Sequence, residues 1–299
     1  MNTPKVSICI PTYNQTLYLE RTLNSISKQN FSDFELIISD DSTTNDVEEL
    51  VEKYKITFGD KLNYFKNKPS KGTPENWNEA IRKATGAYIK IMHHDEWFIN
   101  ETSLGYFVET IESSKADFVF CSVHVFVEST KTEWDMKPTV SQVNEMLAIP
   151  ALLILANIVG PPSSTIYKRE LGLTYDNTLK FVVDFDFYIR VFQKTKNVVY
   201  IENALINSVS DAGHNVTLDC KVPDIELYEY LLMFDKLKGS IPKKFMSKFE
   251  RFLFGLFVKY DIRSASKLVS FYSFWDGRGL YKKLIFKTKL FYLKKKILG

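Results

Sequence analysis

The sequence predicts an α/β fold: a mostly parallel sheet with helices on both faces, followed by a helical C-terminal extension. Three observations carry that expectation. Strand and helix patterns alternate through the first hundred residues. Polar clusters stand where three of those strands end, at Pro11 to Asn14, Asp40 to Thr44 and His93 to Glu96. After about Thr217 the alternation stops, and the chain reads as helices rich in Phe, Leu and Lys. The expected division is a domain of residues 1–218 and an extension of residues 219–299.

In chain order, "VSICIPTYN" is a buried strand ending in a Pro/Asn turn. "LYLERTLNSISKQ" places Leu19, Leu23 and Ile26 at helical spacing. "FELIISDDST" is an apolar strand that stops at two aspartates, "DVEELVEKYK" a helix, and "KLNYFKN" a short strand. "GTPENWNEAIRKAT" is a helix with Pro74 in its first turn and Gly86 expected at its C-cap. "AYIKIM" is the next strand. Strands alternating with helices in this way predict a parallel sheet built from crossover units. Residues 117–126, "DFVFCSVHVF", form a further strand. "MLAIPALLILANIVG" is uncharged, but it is too short, and too broken by Pro150 and Gly160, for the ~20 apolar residues of a membrane span. A buried helix is expected there. "GPPSSTIYKRE" is a turn into a short strand, "VVDFDFYIRVFQK" sets Asp184 and Asp186 at a helix start, and "VVYIENALINSVSDAGHNVT" is a strand followed by a polar loop.

The composition, 45% hydrophobic and 25% charged, is that of an ordinary globular protein. Cys9, Cys121 and Cys220 are odd in number, far apart and form no CxxC pair, which suits a reducing compartment. The opening "MNTPKVSICIPTYN" enters a strand almost at once, without the charged and apolar regions of a signal peptide. A cytoplasmic protein is therefore expected. Charge is unevenly spread. Residues 240–299 hold 15 Lys and Arg against 3 acidic residues, whereas the preceding 239 hold 24 basic and 33 acidic. A mildly acidic body thus carries a strongly basic tail, which suggests contact with an anionic surface.

In sheets of this kind ligands bind outside the carboxyl ends of the strands. The three polar clusters fall at such ends, a coincidence that solvated loop acids alone do not explain. Two phosphate-binding grips, GxGxxG and GxxxxGK[ST], are absent, as is HExxH. His93 and His94 are adjacent, so in a strand their rings would point to opposite faces. One ring at most then joins Asp95 at a metal, and with only His124 and His214 remaining a zinc site is not expected. Asp95 suits Mg²⁺ or Mn²⁺, ions typically held by one or two carboxylates together with nucleotide phosphates. The plainer alternative is that Asp95 and Glu96 only cap a turn.

Three segments together carry a resemblance: "VSICIPTYNQTLYLERTLNSISKQNFSDFELIISDDST", "GTPENWNEAIRKATGAYIKIMHHDEWF" and "VVDFDFYIR". From about Lys5 to Thr217 the chain resembles a family 2 glycosyltransferase with the GT-A fold, of the bacterial surface-polysaccharide type. The resemblance implies that Pro11, Thr12 and Tyr13 line a nucleotide-base pocket and that Asp41 accepts from the base, whose imide N–H a carboxylate can take. It puts Asp95 on the last acid of the family's D-x-D metal motif. His93 replaces the first acid, as a second ligand or a donor to phosphate beside His94. It puts Asp184 on the catalytic base, with Val183 where the family usually has an acid, and His214 in a loop that closes on the diphosphate. Asn78 falls on a helix near the site, with Trp77 beside it read as core. Apart from the resemblance, Asp184 reads as a helix N-cap, with Asp186 paired to Arg190 at i,i+4.

The expected activity is inverting transfer of a sugar, most simply from a UDP-sugar, to a hydroxyl of a glycan or lipid-linked glycan, with Mn²⁺ or Mg²⁺ as cofactor. The rivals are a nucleotide-sugar-binding protein without catalysis, a nucleotidyltransferase on a similar sheet, and an adaptor acting through the tail alone. In the tail, "GLYKKLIFKTKLFYLKKKIL" interleaves Lys with Leu, Ile, Phe and Tyr. A basic amphipathic helix on the inner face of an anionic membrane fits that pattern. Nucleic acid would be drawn to the same charge, but is not the partner expected. The alternative is a helix packed on the protein with its lysines in water.

Overall fold

The structure is a computed structural model and describes residues 3–211 and 219–298. Its first strand, β1 (Val6–Thr12), is buried at every position. A strand covered on both faces can be a continuous apolar run, and "VSICI" is one. β1 pairs in parallel with β2 (Phe34–Asp40) and with β4 (Tyr88–Ile91), and β2 with β3 (Leu62–Lys66). The crossovers are α1 (Thr16–Ser27), α2 (Asp46–Phe58) and α3 (Glu75–Arg82). Asp46, Glu48 and Glu49 occupy the first turn of α2, where the helix dipole favours acids.

Beyond β4 come β5 (Glu96–Phe98), α4 (Ser103–Ser113), β6 (Phe118–Val127), β7 (Thr132–Met136), α5 (Val140–Ala148), β8 (Thr165–Lys168), α6 (Val183–Lys194) and β9 (Val198–Val209). Among the described residues the strands form one sheet in the order β3-β2-β1-β4-β8-β6-β9-β5, with β7 on β6. β8 runs antiparallel to both β4 and β6, β9 parallel to β6, and β5 antiparallel to β9. The first four strands thus form the parallel set that the alternation predicts, and the second half of the sheet is mixed.

Side-chain alternation along the strands sorts the helices. Ile8, Ile10 and Ile38 are buried in one cluster with Leu19 and Leu23 of α1, Val47 and Val51 of α2, and Phe107 and Ile111 of α4. Cys9 faces the other way, its thiol donating to the Ala80 carbonyl of α3 at 3.6 Å. On that second face Phe118 meets Tyr188 and Phe192 of α6 edge-on, at 5.9 and 5.5 Å between centroids. Helices therefore cover both faces.

Two local expectations are corrected. α3 ends at Arg82 with Lys83 as C-cap, so Gly86 is not the cap. Gly86 is instead needed for close approach to β1. Its N–H donates to Ser7 Oγ at 2.8 Å, and a Cβ there would lie 2.8 Å from both Ser7 N and Ser7 Oγ. "MLAIPALLILANIVG" is not one helix either. α5 stops at Ala148, and Pro150, which has no N–H to continue an α-helix, opens a 3-10 turn over Pro150–Ile154.

The chain divides into two compact units: residues 3–150, 157–179 and 183–211 in one, and residues 151–156, 180–182 and 219–298 in the other. The second contains α7 (Tyr228–Leu237), α8 (Met246–Lys259), α9 (Ala265–Phe271) and α10 (Gly279–Leu298). Its core is aromatic: Phe234 lies 6.0 Å from Phe249 and 6.3 Å from Tyr281. Within it, the buried Glu229 accepts the backbone N–H groups of Lys180, Phe181 and Val182 at 2.8 to 3.0 Å. No helix among the described residues is long and apolar enough to cross a membrane.

Gly86→Ala is expected to destabilise the fold by about 1–3 kcal/mol, the usual cost of overpacking. Thermal unfolding measures it, and an unchanged melting temperature would show that the β1 backbone can yield.

Candidate active site

The strand ends are brought together by register. Thr12 stands opposite Asp40, the Asp41 N–H donates to the Thr12 carbonyl at 3.0 Å, and the Met92 N–H donates to the Cys9 carbonyl at 2.9 Å. Asn14 adopts a left-handed backbone, φ 49°, which Asn tolerates better than most residues. Its N–H donates to Ser42 Oγ at 2.8 Å, and its Oδ1 accepts the Thr43 N–H at 3.0 Å. These bonds tie the P-T-Y-N turn to the D-D-S-T turn. Pro11 and Thr12 are buried, and Tyr13 beside them is exposed. Thr12 Oγ1 is shut off from solvent without a partner among the described residues.

Asp41 is buried at the end of β2. Its carboxylate accepts from Asn67 Nδ2 at 2.8 Å and from the N–H groups of Lys71 and Gly72 at 2.7 to 3.1 Å. The group assigned to a base is thus already anchoring the loop after β3. Asp40 is engaged as well, accepting the Ser42 N–H at 2.8 Å and the Tyr64 hydroxyl at 2.7 Å.

The chain between β4 and β5 turns sharply, carrying His93, His94 and Asp95. His93, Asp95 and Glu96 each offer one ligand atom, all within 4.8 Å of one another. Glu96 is buried, with Oε1 3.1 Å from Ser208 Oγ and Oε2 3.7 Å from His93 Nδ1. Burial, and then the charge of Asp95, push its carboxyl pKa up to about 8. Burial pulls His93 down to about 4. The imidazole is neutral at pH 7, the form that ligates a metal. The Asp95 carboxylate and a neutral imidazole, with Glu96 as a third oxygen donor once a bound cation draws off its proton, make a donor set that suits Mn²⁺. Thr22 Oγ1 steadies the turn, 2.9 Å from the His94 carbonyl and 2.7 Å from that of Glu96.

Ser163 supports the same turn from the "GPPSSTIY" segment. Its Oγ accepts the His93 N–H at 2.8 Å, and its carbonyl accepts the ammonium of the fully buried Lys90. That ammonium lies over the Phe107 ring at 4.7 Å, and burial pulls its pKa down to about 7.

Asp184 is the second residue of α6, inside the helix and not its cap. Its Oδ1 is out of solvent with no partner among the described residues, and burial raises its pKa to about 7. Asp186 pairs with Arg190 at 2.6 Å, the structural role expected of it. Trp77 is half-buried at the site, its ring 4.5 Å from His93 and 5.0 Å from Tyr175. Asn78 holds the Tyr175 backbone from both sides, accepting its N–H at 2.8 Å and donating to its carbonyl at 2.9 Å. His214 lies outside the described residues.

The sequence reading missed four residues of the candidate site: Glu96 as a third candidate ligand, and Lys90, Ser163 and Tyr175. Only Glu96 left a signal, as the acid following Asp95. The other three reach the site through long-range packing.

Residues 7–171 match the family model described as glycosyl transferase family 2. An uncharacterised glycosyltransferase of Rickettsia typhi is 25% identical over 233 residues, 76% of this chain and 70% of that protein. The GalNAc(5)-diNAcBac-PP-undecaprenol β-1,3-glucosyltransferase of Campylobacter jejuni is 33% identical over 94 residues, 31% of this chain and 30% of that protein. Among solved structures, Staphylococcus aureus TarS in complex with UDP-GlcNAc superposes with a TM-score of 0.62 at 21% identity, covering 77% of this chain and 65% of TarS. The fold is that of the GT-A glycosyltransferases.

Mn²⁺ affinity, followed by electron paramagnetic resonance in the presence of UDP, is expected to fall by about tenfold or more in Asp95→Ala, and to fall also in Glu96→Gln and His93→Ala. Equal affinity in all four proteins would remove the metal reading of this turn.

Proposed function

The chain belongs to glycosyltransferase family 2, and on that premise we propose that it inverts the anomeric centre of a nucleotide-diphosphate sugar, a UDP-sugar, while transferring the sugar to a hydroxyl of a glycan or lipid-linked glycan. The observation that carries this reading is the unpartnered carboxylate oxygen of Asp184, together with a metal-type donor set that the Trp77, Tyr175 and Phe187 rings connect to the same helix. A base needs a carboxylate free to accept a proton and a pKa near the working pH. Burial supplies the second condition. The uridine donor is supported by the UDP-GlcNAc bound to TarS, and the lipid-linked acceptor by the undecaprenol-linked substrate named for the Campylobacter relative.

In this mechanism Asp184 takes the proton of the acceptor hydroxyl as its oxygen attacks the anomeric carbon. The opposite bond, to the diphosphate oxygen, breaks, and the nucleoside diphosphate leaves with the electron pair. No covalent nucleophile is required. Asp95, Glu96 and neutral His93 would hold Mn²⁺ or Mg²⁺, which as a Lewis acid stabilises charge on the leaving diphosphate. Tyr13 offers an exposed ring on which the nucleotide base can stack, next in the chain to the buried Pro11 and Thr12. Reading of the base by Asp41 requires the Lys71–Gly72 contact to yield. His94 and His214 are assigned to the diphosphate side.

The basic extension is assigned to peripheral contact with anionic lipid at the inner face of the membrane. On α10 the buried residues are Tyr281, Leu284, Ile285 and Thr288. Its outer side is not simply polar, because Phe286, Leu290, Phe291 and Leu293 are exposed among the exposed lysines 282, 289 and 294–296. Exposed aromatics beside lysines suit a headgroup boundary. Lys283 and Lys287 instead pair with Glu250.

Release of nucleoside diphosphate from UDP-, GDP- and dTDP-sugars, with lipid-linked acceptors and with Mn²⁺ or a chelator, tests the enzyme reading. One donor should be turned over, and Asp184→Asn should lose about 10²–10⁴-fold in kcat. Tight binding of a donor that is never cleaved would favour a binding protein, and release of pyrophosphate a nucleotidyltransferase.

The pH profile follows from the raised Asp184 pKa. The base must be ionised, so kcat should fall as pH drops through about 7 and level off above it. A limb near the ordinary aspartate value would exclude Asp184 as the titrating base. In vesicle flotation, the wild type should rise with phosphatidylglycerol vesicles at moderate salt, and a variant with Lys294, Lys295 and Lys296 changed to Glu should not. Equal behaviour would remove the membrane assignment.

A further inference from the structure

We infer that the phenol hydroxyl of Tyr175 binds a hydroxyl group of the sugar substrate beside Asp184. This rests on the glycosyltransferase reading and adds a substrate-contacting residue to it.

Tyr175 is 2% exposed, and its hydroxyl has no partner among the described residues. A buried hydroxyl without a partner is costly, and one retained in a tightly held ring asks for an explanation. The ring is tightly held. Asn78 grips its backbone at both the N–H and the carbonyl. Its face stacks on Phe187 at 4.3 Å, with 19° between planes. The Trp77 ring meets it edge-on at 5.0 Å, and Trp77 in turn lies 4.5 Å from the His93 ring. Tyr175 therefore stands between the His93 turn and α6.

The part of α6 it meets is informative. Asp184, Phe187 and Arg190 follow one another at i,i+3 and so share a helix face. The Tyr175 ring lies on the middle one. On either side, Asp184 Oδ1 and a terminal guanidinium nitrogen of Arg190 are also shut off from solvent and without a partner among the described residues. Burial, and then the Tyr167 and Asp184 groups, raise the Tyr175 pKa, and the Arg190 charge lowers it, so Asp184 and Arg190 both lie within electrostatic range of the Tyr175 hydroxyl. A hydroxyl, a carboxylate oxygen and a guanidinium N–H are complementary to one another, yet none is paired. A group that both donates and accepts would satisfy them. Sugar hydroxyls do so, and they come either from the transferred sugar or from the acceptor.

Tyr175→Phe removes only the oxygen. The expected result is a loss of about tenfold or more in kcat/KM, with a melting temperature unchanged or higher, because an unpaired hydroxyl is being removed. Two arms separate the sources. If the hydroxyl is on the donor, calorimetry will show weakened binding of the nucleotide sugar but not of the bare nucleoside diphosphate. If it is on the acceptor, donor binding stays intact and the acceptor KM rises. Wild-type kinetics in the variant would overturn the inference, leaving the hydroxyl to an ordered water. A lowered melting temperature would also overturn it, by showing that the oxygen has a structural partner. A wild type that binds no nucleotide sugar would overturn the enzyme reading itself, and is seen before the variant is made.

Discussion

The structure depends on the parallel ladder that holds β1 between β2 and β4. Because side chains alternate along a strand, a slip of one residue would turn Ile8 and Ile10 away from α1 and α2 and bring Ser7 and Cys9 in their place. It would also unseat the site, since Thr12 would no longer stand opposite Asp40. The ladder is fixed at both ends. At its entry, Gly86 lies against Ser7, and the Ser7 hydroxyl donates to Glu35 at 2.6 Å. At its exit, Asn14 is tied to Ser42 and Thr43.

On this frame the protein keeps several ionisable groups out of water. Burial pushes His93, Lys90, Glu96 and Asp184 each toward the neutral form. Such shifts oppose folding whenever the group is charged, and they cluster where function requires them. A neutral imidazole is ready to ligate, and a carboxyl titrating near 7 is poised to accept a proton. Polar support around the turn limits the cost: Ser163 serves both His93 and Lys90, while Thr22 and Ser208 serve the stretch around Glu96.

The metal-type turn and the helix that carries Asp184 come from distant parts of the chain, and aromatic packing joins them. His93, Trp77, Tyr175 and Phe187 follow one another ring to ring, at 4.5, 5.0 and 4.3 Å. Rigid rings transmit position well because they have few rotamers. Asn78 fixes the middle of this series through the Tyr175 backbone. Asn78, which the resemblance placed only on a helix near the site, thus clamps the backbone between the His93 turn and α6.

Local periodicity alone determined the four parallel strands, their crossover helices and the polar strand ends at Pro11–Asn14, Asp40–Thr44 and His93–Glu96. These are legible because alternation and helical spacing are properties of neighbouring residues. The motif resemblance likewise picked out Asp95 and Asp184 from their immediate context. Only the tertiary structure decided that Gly86 serves close packing and not a helix cap, that Asp41 anchors the Lys71–Gly72 loop, and that Lys90, Ser163 and Tyr175 belong to the site. It also decided the mixed pairing of β5 to β9. The reason is common to all of these. Each depends on a contact between residues dozens of positions apart, and burial of a lysine, a serine or a tyrosine leaves no periodic trace in the chain around it.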